Sequence, residues 1–476
     1  MRVLLFQPNY DTHVVHPSLG LGYIASFLET KGYDVDIFDG TREKAQEEDF
    51  LKKIEDFKAD VVGITVLARG HTRVKKLIKS IKAEFPKVRV LVGGTQVTAA
   101  PQLVYNDLGA DFAIVGEGEV TFSELLERLA DGKNEKLNDV AGIVYKESNG
   151  NIQITQPRDF VADLDSLPFP AWHLMPPSEY RIAPILAPAK GSPVAPIITS
   201  RGCPYDCTFC ASNVTWKRKL RMRSPGNVLN EIKLLVEKYG VKEIHISDDT
   251  FTTDIKRAVA ICDAIYNEGI DIPWQCPNGI RVDSLTPELL GKMRRSGCYS
   301  IGMGIESGNQ EILDRTDKKL NLNRLKSVLE DIKKAGIKSY GFFILGLPGD
   351  TSKTVEDTIN FALEVPLDRA WFNIFAPYPG SRAFNEWLKE KHLDFADIDW
   401  EKHDCNTAVM VDGDLTAEKL EEYQKTAARQ FYFRPRILLS ILSELNPRSI
   451  VTLLMTRFLK KQTGFVMRLL GRENHC

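Results

Sequence analysis

The sequence has no long apolar run, no start typical of a secretory leader and no strong net charge. No run of about 18 apolar residues occurs, so we expect no transmembrane helix. The apolar start is interrupted at Pro8, which is not typical of a signal peptide, and we therefore expect a cytoplasmic protein. The net charge is −2, so no overall basic field favours nucleic acid as a partner.

Cysteine is also scarce, with eight residues in a chain of 476, and we expect no disulfide framework. Three of the eight stand close together in SRGCPYDCTFCAS, as Cys203, Cys207 and Cys210 with C-x3-C-x2-C spacing. Three thiolates on one loop can bind three irons of a four-iron cluster and leave the fourth iron open for another ligand. The alternative is a zinc site, which requires a fourth protein ligand. The other cysteines are scattered along the chain and do not supply one nearby in sequence.

Short apolar strands alternate with amphipathic helices in two long segments, which predicts an α/β protein. Residues 1–130 predict a doubly wound parallel sheet of the Rossmann-like, flavodoxin type. Residues 131–190 contain a hairpin pattern around Asn149 and are interpreted as a linker. Residues 191–395 contain six strand–helix repeats, which predict a partial (β/α)6 barrel with catalytic groups at the strand ends. Residues 396–476 predict a helical carboxyl-terminal region with a basic amphipathic end.

The cysteine motif follows the first predicted barrel strand, and in this position it resembles the motif of the radical S-adenosylmethionine (SAM) superfamily. In that family the open iron binds SAM, and one electron splits SAM into methionine and a 5′-deoxyadenosyl radical. The resemblance implies that Cys203, Cys207 and Cys210 bind a 4Fe–4S cluster and that SAM is a cofactor. It also implies an anaerobic reaction with a flavodoxin- or ferredoxin-type electron donor.

The ends of the later barrel strands resemble the SAM-binding positions of this superfamily. The implied roles are binding of the methionine amino group at the second strand, of the ribose at the fourth, and of the adenine at the fifth and sixth. The residues in these positions are Asp248 and Asp249, Glu306 and Ser307, Gly346, and Tyr378.

The acidic residues after the second strand have a simpler interpretation, and a further residue, Cys276, also allows two interpretations. The acidic residues after the second strand could form a solvated loop, and Asp254 precedes a helix as a cap residue would. Cys276 ends the third strand, where it could donate a hydrogen atom, although a buried structural role is commoner for free cysteine.

The first domain resembles the cobalamin-binding module that precedes the barrel in many radical SAM enzymes. The resemblance rests on LVGGTQVTAAP, VGITVLARG and DFAIVGEGEV, and it implies cobalamin contacts at Thr65, Gly93, Gly94, Gly116 and Glu117. No G-x-G-x-x-G follows the first strand, which argues against a dinucleotide. The alternative is a related domain that no longer binds cobalamin.

The cobalamin-binding resemblance has one departure. The D-x-H-x-x-G motif that supplies a histidine ligand to cobalt is absent, and Gln96 stands where some relatives have histidine after the glycine pair. We therefore expect no axial histidine from that motif. His13 and His16 are nearby in sequence, where a lone histidine is more often structural or solvated.

The segment from Arg434 to Arg472 is basic and has apolar residues at helical spacing. Such a helix can lie at an anionic membrane surface, which would give peripheral contact with the inner membrane. It can equally pack on the barrel with its basic face in solvent.

The expected function is a radical SAM enzyme, with cobalamin, that modifies an unactivated carbon of a small-molecule substrate of lipid or tetrapyrrole type. The layout resembles the branches of the anaerobic magnesium-protoporphyrin monomethyl ester cyclase and of hopanoid- and lipid-modifying enzymes, which implies cyclisation, oxidation or rearrangement. The alternative is a cobalamin-dependent C-methyltransferase. A sensor without catalysis is an alternative of another class. A transfer-RNA methylthiotransferase requires a further cysteine-bearing domain before the barrel. No cysteine precedes Cys203, which argues against this function.

Overall fold

The computed structural model describes residues 1–10, 15–130, 134–180, 189–404, 406–411 and 413–444. Two mainly parallel sheets with helices packed on them form an amino-terminal α/β domain and a barrel-like domain. The α/β class and the order of the two domains are as the sequence predicts.

The first domain contains the strands β1 (Arg2–Gln7), β2 (Asp34–Asp39), β3 (Val61–Thr65), β4 (Arg89–Gly93), β5 (Phe112–Ile114), β6 (Ile143–Lys146) and β7 (Ile152–Ile154). Its helices are α1 (Leu19–Thr30), α2 (Gly40–Glu43), α3 (Glu47–Phe57), α4 (His71–Glu84), α5 (Thr95–Ala99), α6 (Pro101–Leu108) and α7 (Gly118–Ala130). The strand order is β2-β1-β3-β4-β5-β6-β7, and β1 to β5 are parallel.

The interpretation of the hairpin as part of a linker is wrong. Its strands β6 and β7 extend the first sheet, and β6 pairs antiparallel with β5 over Phe112 to Ile114. The hairpin thereby pairs backbone groups that β5 would otherwise leave free at the sheet edge. The first sheet consequently reaches Ile154 instead of ending before residue 130.

Burial in this domain follows the sequence pattern. The strand β1 is buried along its centre, as expected for a parallel sheet with helices on both faces. The helix α4 buries Val74, Leu77, Ile78 and Ile81, which recur at helical spacing on one face. This packing fixes the carboxyl ends of β3, β4 and β5 at one edge of the sheet.

The barrel-like domain contains the strands β8 (Val194–Ile197), β9 (Ser200–Arg201), β10 (Arg221–Met222), β11 (Glu243–Ile246), β12 (Trp274–Cys276), β13 (Cys298–Glu306), β14 (Lys338–Leu345) and β15 (Arg369–Ile374). Its helices are α8 (Ser212–Trp216), α9 (Pro225–Tyr239), α10 (Ile255–Asn267), α11 (Pro287–Arg295), α12 (Gln310–Arg315), α13 (Leu322–Lys334), α14 (Ser352–Glu364) and α15 (Arg382–Lys391). Six strands form one parallel sheet in the order β15-β14-β13-β12-β11-β8. The six strands predicted from sequence are those of this open barrel.

Two further helices, α16 (Ala417–Tyr432) and α17 (Pro435–Glu444), follow the barrel. The helix α16 lies against β15, where the Tyr432 hydroxyl donates to the carbonyl of Ala370 at 2.8 Å. Within the described ranges, no helix combines the length and the apolar character needed to cross a membrane. Most of the basic amphipathic segment, residues 445–476, lies outside the described residues.

Candidate active site at the domain interface

The three cysteines of the motif lie on the loop between β9 and α8. Cys203, Cys207 and Cys210 are half-buried and free of disulfide bonds. The loop turns tightly, since the Cys210 N–H donates to the Cys207 carbonyl at 3.1 Å. Burial raises the pKa of all three thiols, that of Cys210 to about 11, and neighbouring thiols add to the effect at Cys203 and Cys210. The three sulfurs are therefore near enough to influence one another.

This arrangement fits an iron–sulfur cluster better than a zinc ion. In the described part of the chain, no three His, Cys, Asp or Glu side chains converge as a single metal ion requires. Each thiolate of a four-iron cluster binds a separate iron, so convergence on one point is not needed. Cys262, Cys276 and Cys298 are buried in the barrel core, and Cys405 and Cys476 lie outside the described residues.

The two carboxylates after β11 have different surroundings. Asp248 is buried and accepts three hydrogen bonds of 2.6 Å, from the backbone N–H and hydroxyl of Thr199 and from the hydroxyl of Ser200. Asp249 is exposed to a cavity beside the cysteine loop and accepts from the Ser212 hydroxyl at 3.0 Å. Of the two, only Asp249 has a side chain placed to meet a ligand. Asp254 caps α10, as its simpler interpretation predicts.

Glu306 ends β13 in a left-handed backbone conformation, with φ of 68°. A residue other than glycine adopts this conformation at a cost, and such strain is commoner at functional sites. The Glu306 carboxylate accepts from Lys318 Nζ at 2.7 Å, and both side chains are largely buried. Burial acts to lower the pKa of Lys318, but Glu306 and then Cys207 outweigh it and raise that pKa. No sequence pattern indicated a role for Lys318.

The other predicted SAM-binding residues are dispersed. Ser307 is fully buried, and its hydroxyl pairs with that of Thr358 at 3.1 Å. Gly346 has a positive φ of 83° and lies under the side chain of Leu420 from α16. Tyr378 lines the second cavity described below, and neither Ser307 nor Gly346 lines that cavity. Their contacts with SAM stay predictions.

The cavity beside the cysteine loop, called the first cavity from here on, lies between the carboxyl ends of the first sheet and β9, the strand that precedes this loop. All five residues predicted to contact cobalamin line it: Thr65, Gly93, Gly94, Gly116 and Glu117. Its volume is about 370 Å³, and Leu21, Leu91, Ile114 and Phe122 form an apolar wall. The barrel contributes Arg201, Trp216 and Asp249 to the opposite side.

Two glycines that line this cavity have different structural roles. Gly94 has φ of 104°, and a Cβ there would lie 2.9 Å from the carbonyl oxygen of Val66. Gly116 has φ of 86°, and a Cβ there would meet no atom within 4 Å. Gly94 therefore permits a close backbone turn, and Gly116 leaves open space in the cavity. Both features suit a bulky ligand such as a corrin with its nucleotide tail.

Glu117 lines the cavity but has both carboxylate oxygens engaged. Arg201 Nη1 donates to its Oε1 at 2.6 Å, and Arg221 Nη1 donates to its Oε2 at 2.8 Å. Arg201 Nη2 also donates to Glu119 at 2.7 Å. Burial acts to raise the pKa of Glu117, but the two arginines outweigh it and lower that pKa. Glu117 thus joins the two domains, and its direct contact with cobalamin stays a prediction.

The histidines near the amino terminus do not add to this site. His13 lies outside the described residues. The ring of His16 lies 6.0 Å from that of His245 in the barrel, and burial lowers its pKa to about 4.

A second cavity, of about 550 Å³, adjoins the first. Both are lined by Leu67, Thr95, Thr215, Trp216 and Asp249. Tyr378 lines it from the barrel and His403 from the segment that follows α15. Sequence reasoning missed His403, since no pattern connects it with the barrel.

Comparison with known proteins identifies the family. The family model of the radical SAM superfamily matches residues 197–362, and that of the B12 binding domain matches residues 11–126. An uncharacterized methyltransferase of Pyrococcus horikoshii is 34% identical over 451 residues, which cover 93% of this chain and 95% of that protein. This chain belongs to the radical SAM superfamily, in the subgroup with an amino-terminal B12-binding domain.

Two further relatives of this radical SAM enzyme have more specific names. Cytidylyl-2-hydroxyethylphosphonate methyltransferase of Streptomyces wedmorensis is 31% identical over 445 residues, with 83% of each chain covered. Anaerobic magnesium-protoporphyrin IX monomethyl ester cyclase of Rubrivivax gelatinosus is 27% identical over 446 residues, which cover 92% of this chain and 78% of that protein.

The fold of the radical SAM enzyme also matches solved structures. The radical SAM methyltransferase TsrM of Kitasatospora setae, solved with cobalamin and a 4Fe–4S cluster bound, superimposes with a TM-score of 0.67 at 18% identity. The match covers 82% of this chain and 75% of that chain. The expected fold, enzyme class and cofactors are confirmed: the chain is an enzyme that uses a 4Fe–4S cluster, SAM and cobalamin.

Proposed function

We propose that this enzyme is a cobalamin-dependent radical SAM methyltransferase that methylates an unactivated carbon of a small molecule. The observation that carries the proposal is similarity over nearly the whole chain to two proteins named methyltransferases, at 34% and 31% identity. The cyclase relative is less similar, at 27% identity. This favours the alternative from the sequence, methyl transfer, over the cyclisation, oxidation or rearrangement expected first.

The residues of the chain have the following roles in the proposal. Cys203, Cys207 and Cys210 hold the cluster, and Asp249 and Glu306 orient SAM. When bound, SAM supplies the methyl group and the radical, and cobalamin carries the methyl group. The protein supplies orientation and a dry site, which are its usual contributions to cofactor chemistry.

The domain interface supports this division of work. The cobalamin cavity faces Asp249 and Trp216 of the barrel, and both residues also line the second cavity. A cofactor in the first cavity and a substrate in the second would therefore be neighbours, as a group transfer between them requires. The ion pairs of Arg201 and Arg221 with Glu117 connect the two domains at this interface.

An anaerobic turnover assay tests the proposal. The cluster is reconstituted, and cobalamin, reductant, a host small-molecule extract and SAM with an isotope-labelled methyl group are added. Label in an extract molecule, together with 5′-deoxyadenosine, is the expected result. Cys203→Ala should abolish both products, whereas Cys262→Ala, outside the motif, should retain them.

The other results would contradict the proposal in distinct ways. An increase of 5′-deoxyadenosine with extract, but without transferred label, would indicate cyclisation, oxidation or rearrangement. A cluster-loaded protein that forms no 5′-deoxyadenosine would indicate a sensor.

A further inference from the structure

The second cavity has walls from three parts of the chain. Leu67 and Gln96 come from the B12-binding domain, Trp216 and Tyr378 from the barrel, and His403 from the segment after α15. Its volume of about 550 Å³ lies within the usual range of small-molecule sites, roughly 300–1,000 Å³. Its position beside the cobalamin cavity makes it the candidate for the substrate.

Gln96 and His403 both line this cavity, and each carries one buried nitrogen without a partner among the described residues. The Gln96 side chain is 2% exposed, and its Oε1 lies 3.0 Å from His71 Nδ1. His71 Nε2 is held in turn by Asp107 at 2.7 Å, which fixes the ring and, through it, the amide. Among the described residues, Gln96 Nε2 has no hydrogen-bond partner. A buried amide N–H without a partner destabilises a protein unless a ligand pairs with it.

His403 carries the other unpaired atom. Its ring packs against Trp400, with 5.0 Å between centroids, and its Nδ1 lies 3.3 Å from the carbonyl oxygen of Asp399, to which an N–H there would donate. Burial lowers the pKa of His403, which keeps the ring neutral near pH 7 and makes Nε2 an acceptor. Nε2 has no partner within the described part of the chain, and the side chain is 2% exposed.

We propose that the second cavity binds a substrate carrying a hydroxyl or an equivalent polar group, which donates to His403 Nε2 and accepts from Gln96 Nε2. The apolar part of the substrate packs against Leu67 and Trp216. The identity of this molecule as the methyl acceptor rests on the proposed function. A pure hydrocarbon does not fit, because it would leave both nitrogens unpaired.

The test compares benzyl alcohol with toluene, which differ by one oxygen atom. Their dissociation constants are measured by saturation-transfer NMR on the anaerobic protein loaded with cluster and cobalamin. In Gln96→Leu and in His403→Phe, the preference for benzyl alcohol over toluene should fall by roughly threefold to tenfold, the effect of one neutral hydrogen bond. Lys402→Ala, beside His403 but outside the cavity lining, should keep the preference of the unmodified protein.

Thermal melting shows whether the two side chains have a structural role instead. Each variant loses one hydrogen bond, that of Gln96 with His71 or that of His403 with Asp399, together with one unpaired buried nitrogen. These effects oppose each other, so both variants should melt close to the unmodified protein. An unchanged preference in either variant, or a clear fall in melting temperature in both, would overturn the proposal. A preserved effect with no labelled product in the turnover assay would reject methyl transfer and leave the hydroxyl site standing.

Discussion

Arg201 Nη1 lies 2.6 Å from Glu117 Oε1, and this ion pair connects the strand before the cysteine loop with the B12-binding domain. Both side chains are less than a tenth exposed. The pair spans 84 residues of sequence, and Arg201 is two residues from Cys203. This buried guanidinium, together with that of Arg221, therefore helps to hold the cluster loop against the first cavity.

Arg201→Met should destabilise the protein and loosen cobalamin. The buried Glu119 would lose its partner Arg201, and Glu117 would keep only Arg221, so we expect a loss of about 3 kcal/mol in the free energy of unfolding. Urea unfolding measures this, and gel filtration followed by absorbance measures retained cobalamin. Lys326→Met removes an exposed pair with Glu364 and should cost less than about 1 kcal/mol. Equal losses in the two variants would refute the interdomain role.

Gly116→Ala should weaken cobalamin binding more than it destabilises the fold. The new methyl group would project into open space of the first cavity, and overpacking by one methyl costs about 1 kcal/mol or more, hence roughly fivefold in affinity. Gly109→Ala is the matched control, because Gly109 has φ of 68° with nothing within 4 Å but does not line the cavity. Similar cobalamin affinities of the two purified variants would show that Gly116 does not face the cofactor.

Glu306→Gln should reduce SAM binding by roughly tenfold, the effect of one hydrogen bond to a charged group. The strained backbone of Glu306 and its contact with Lys318 place the carboxylate at the end of β13, where we propose that it orients SAM. Equilibrium dialysis with labelled SAM measures the affinity. Glu311→Gln, on the neighbouring helix α12 with its side chain in solvent, should bind SAM normally. Unchanged affinity in Glu306→Gln would assign Glu306 to structure alone.

Asp350 should make stability depend on pH. Burial raises the pKa of this carboxyl from 3.8 to about 6, although it accepts from the N–H groups of Gly346 and Leu347. Folding therefore favours the protonated form. The stability that this form contributes is present in full below pH 4 and is lost as the pH rises through 6.

The neutral variant Asp350→Asn isolates this contribution. The free energy of unfolding of the unmodified protein, minus that of the variant, should fall by about 3 kcal/mol between pH 4 and pH 7. Urea unfolding at several pH values provides the comparison, in which the contributions of other groups cancel. A difference that stays constant with pH would show that Asp350 titrates normally.

Local patterns in the sequence were sufficient for the cofactor loop and the strands. The spacing of Cys203, Cys207 and Cys210 is a property of thirteen neighbouring residues, and the six barrel strands follow from short apolar runs. The five residues predicted to contact cobalamin also meet in one cavity, because parallel strands bring their carboxyl ends to the same sheet edge.

Contacts between distant segments were beyond such patterns. The different surroundings of Asp248 and Asp249 depend on Thr199 and Ser200, which lie about fifty residues earlier. These two residues donate hydrogen bonds to the Asp248 carboxylate and not to that of Asp249. The hairpin was assigned to a linker because periodicity does not show which sheet edge a strand joins.

The sequence by itself thus predicted the cluster ligands and determined the order of the two domains and the family resemblance, since these depend on neighbouring residues and on hydrophobic periodicity. The tertiary structure alone decided that Glu117 binds Arg201, and that Gln96 and His403 line one cavity. Those relationships arise only when burial brings remote polar groups together and removes the water that would otherwise satisfy them.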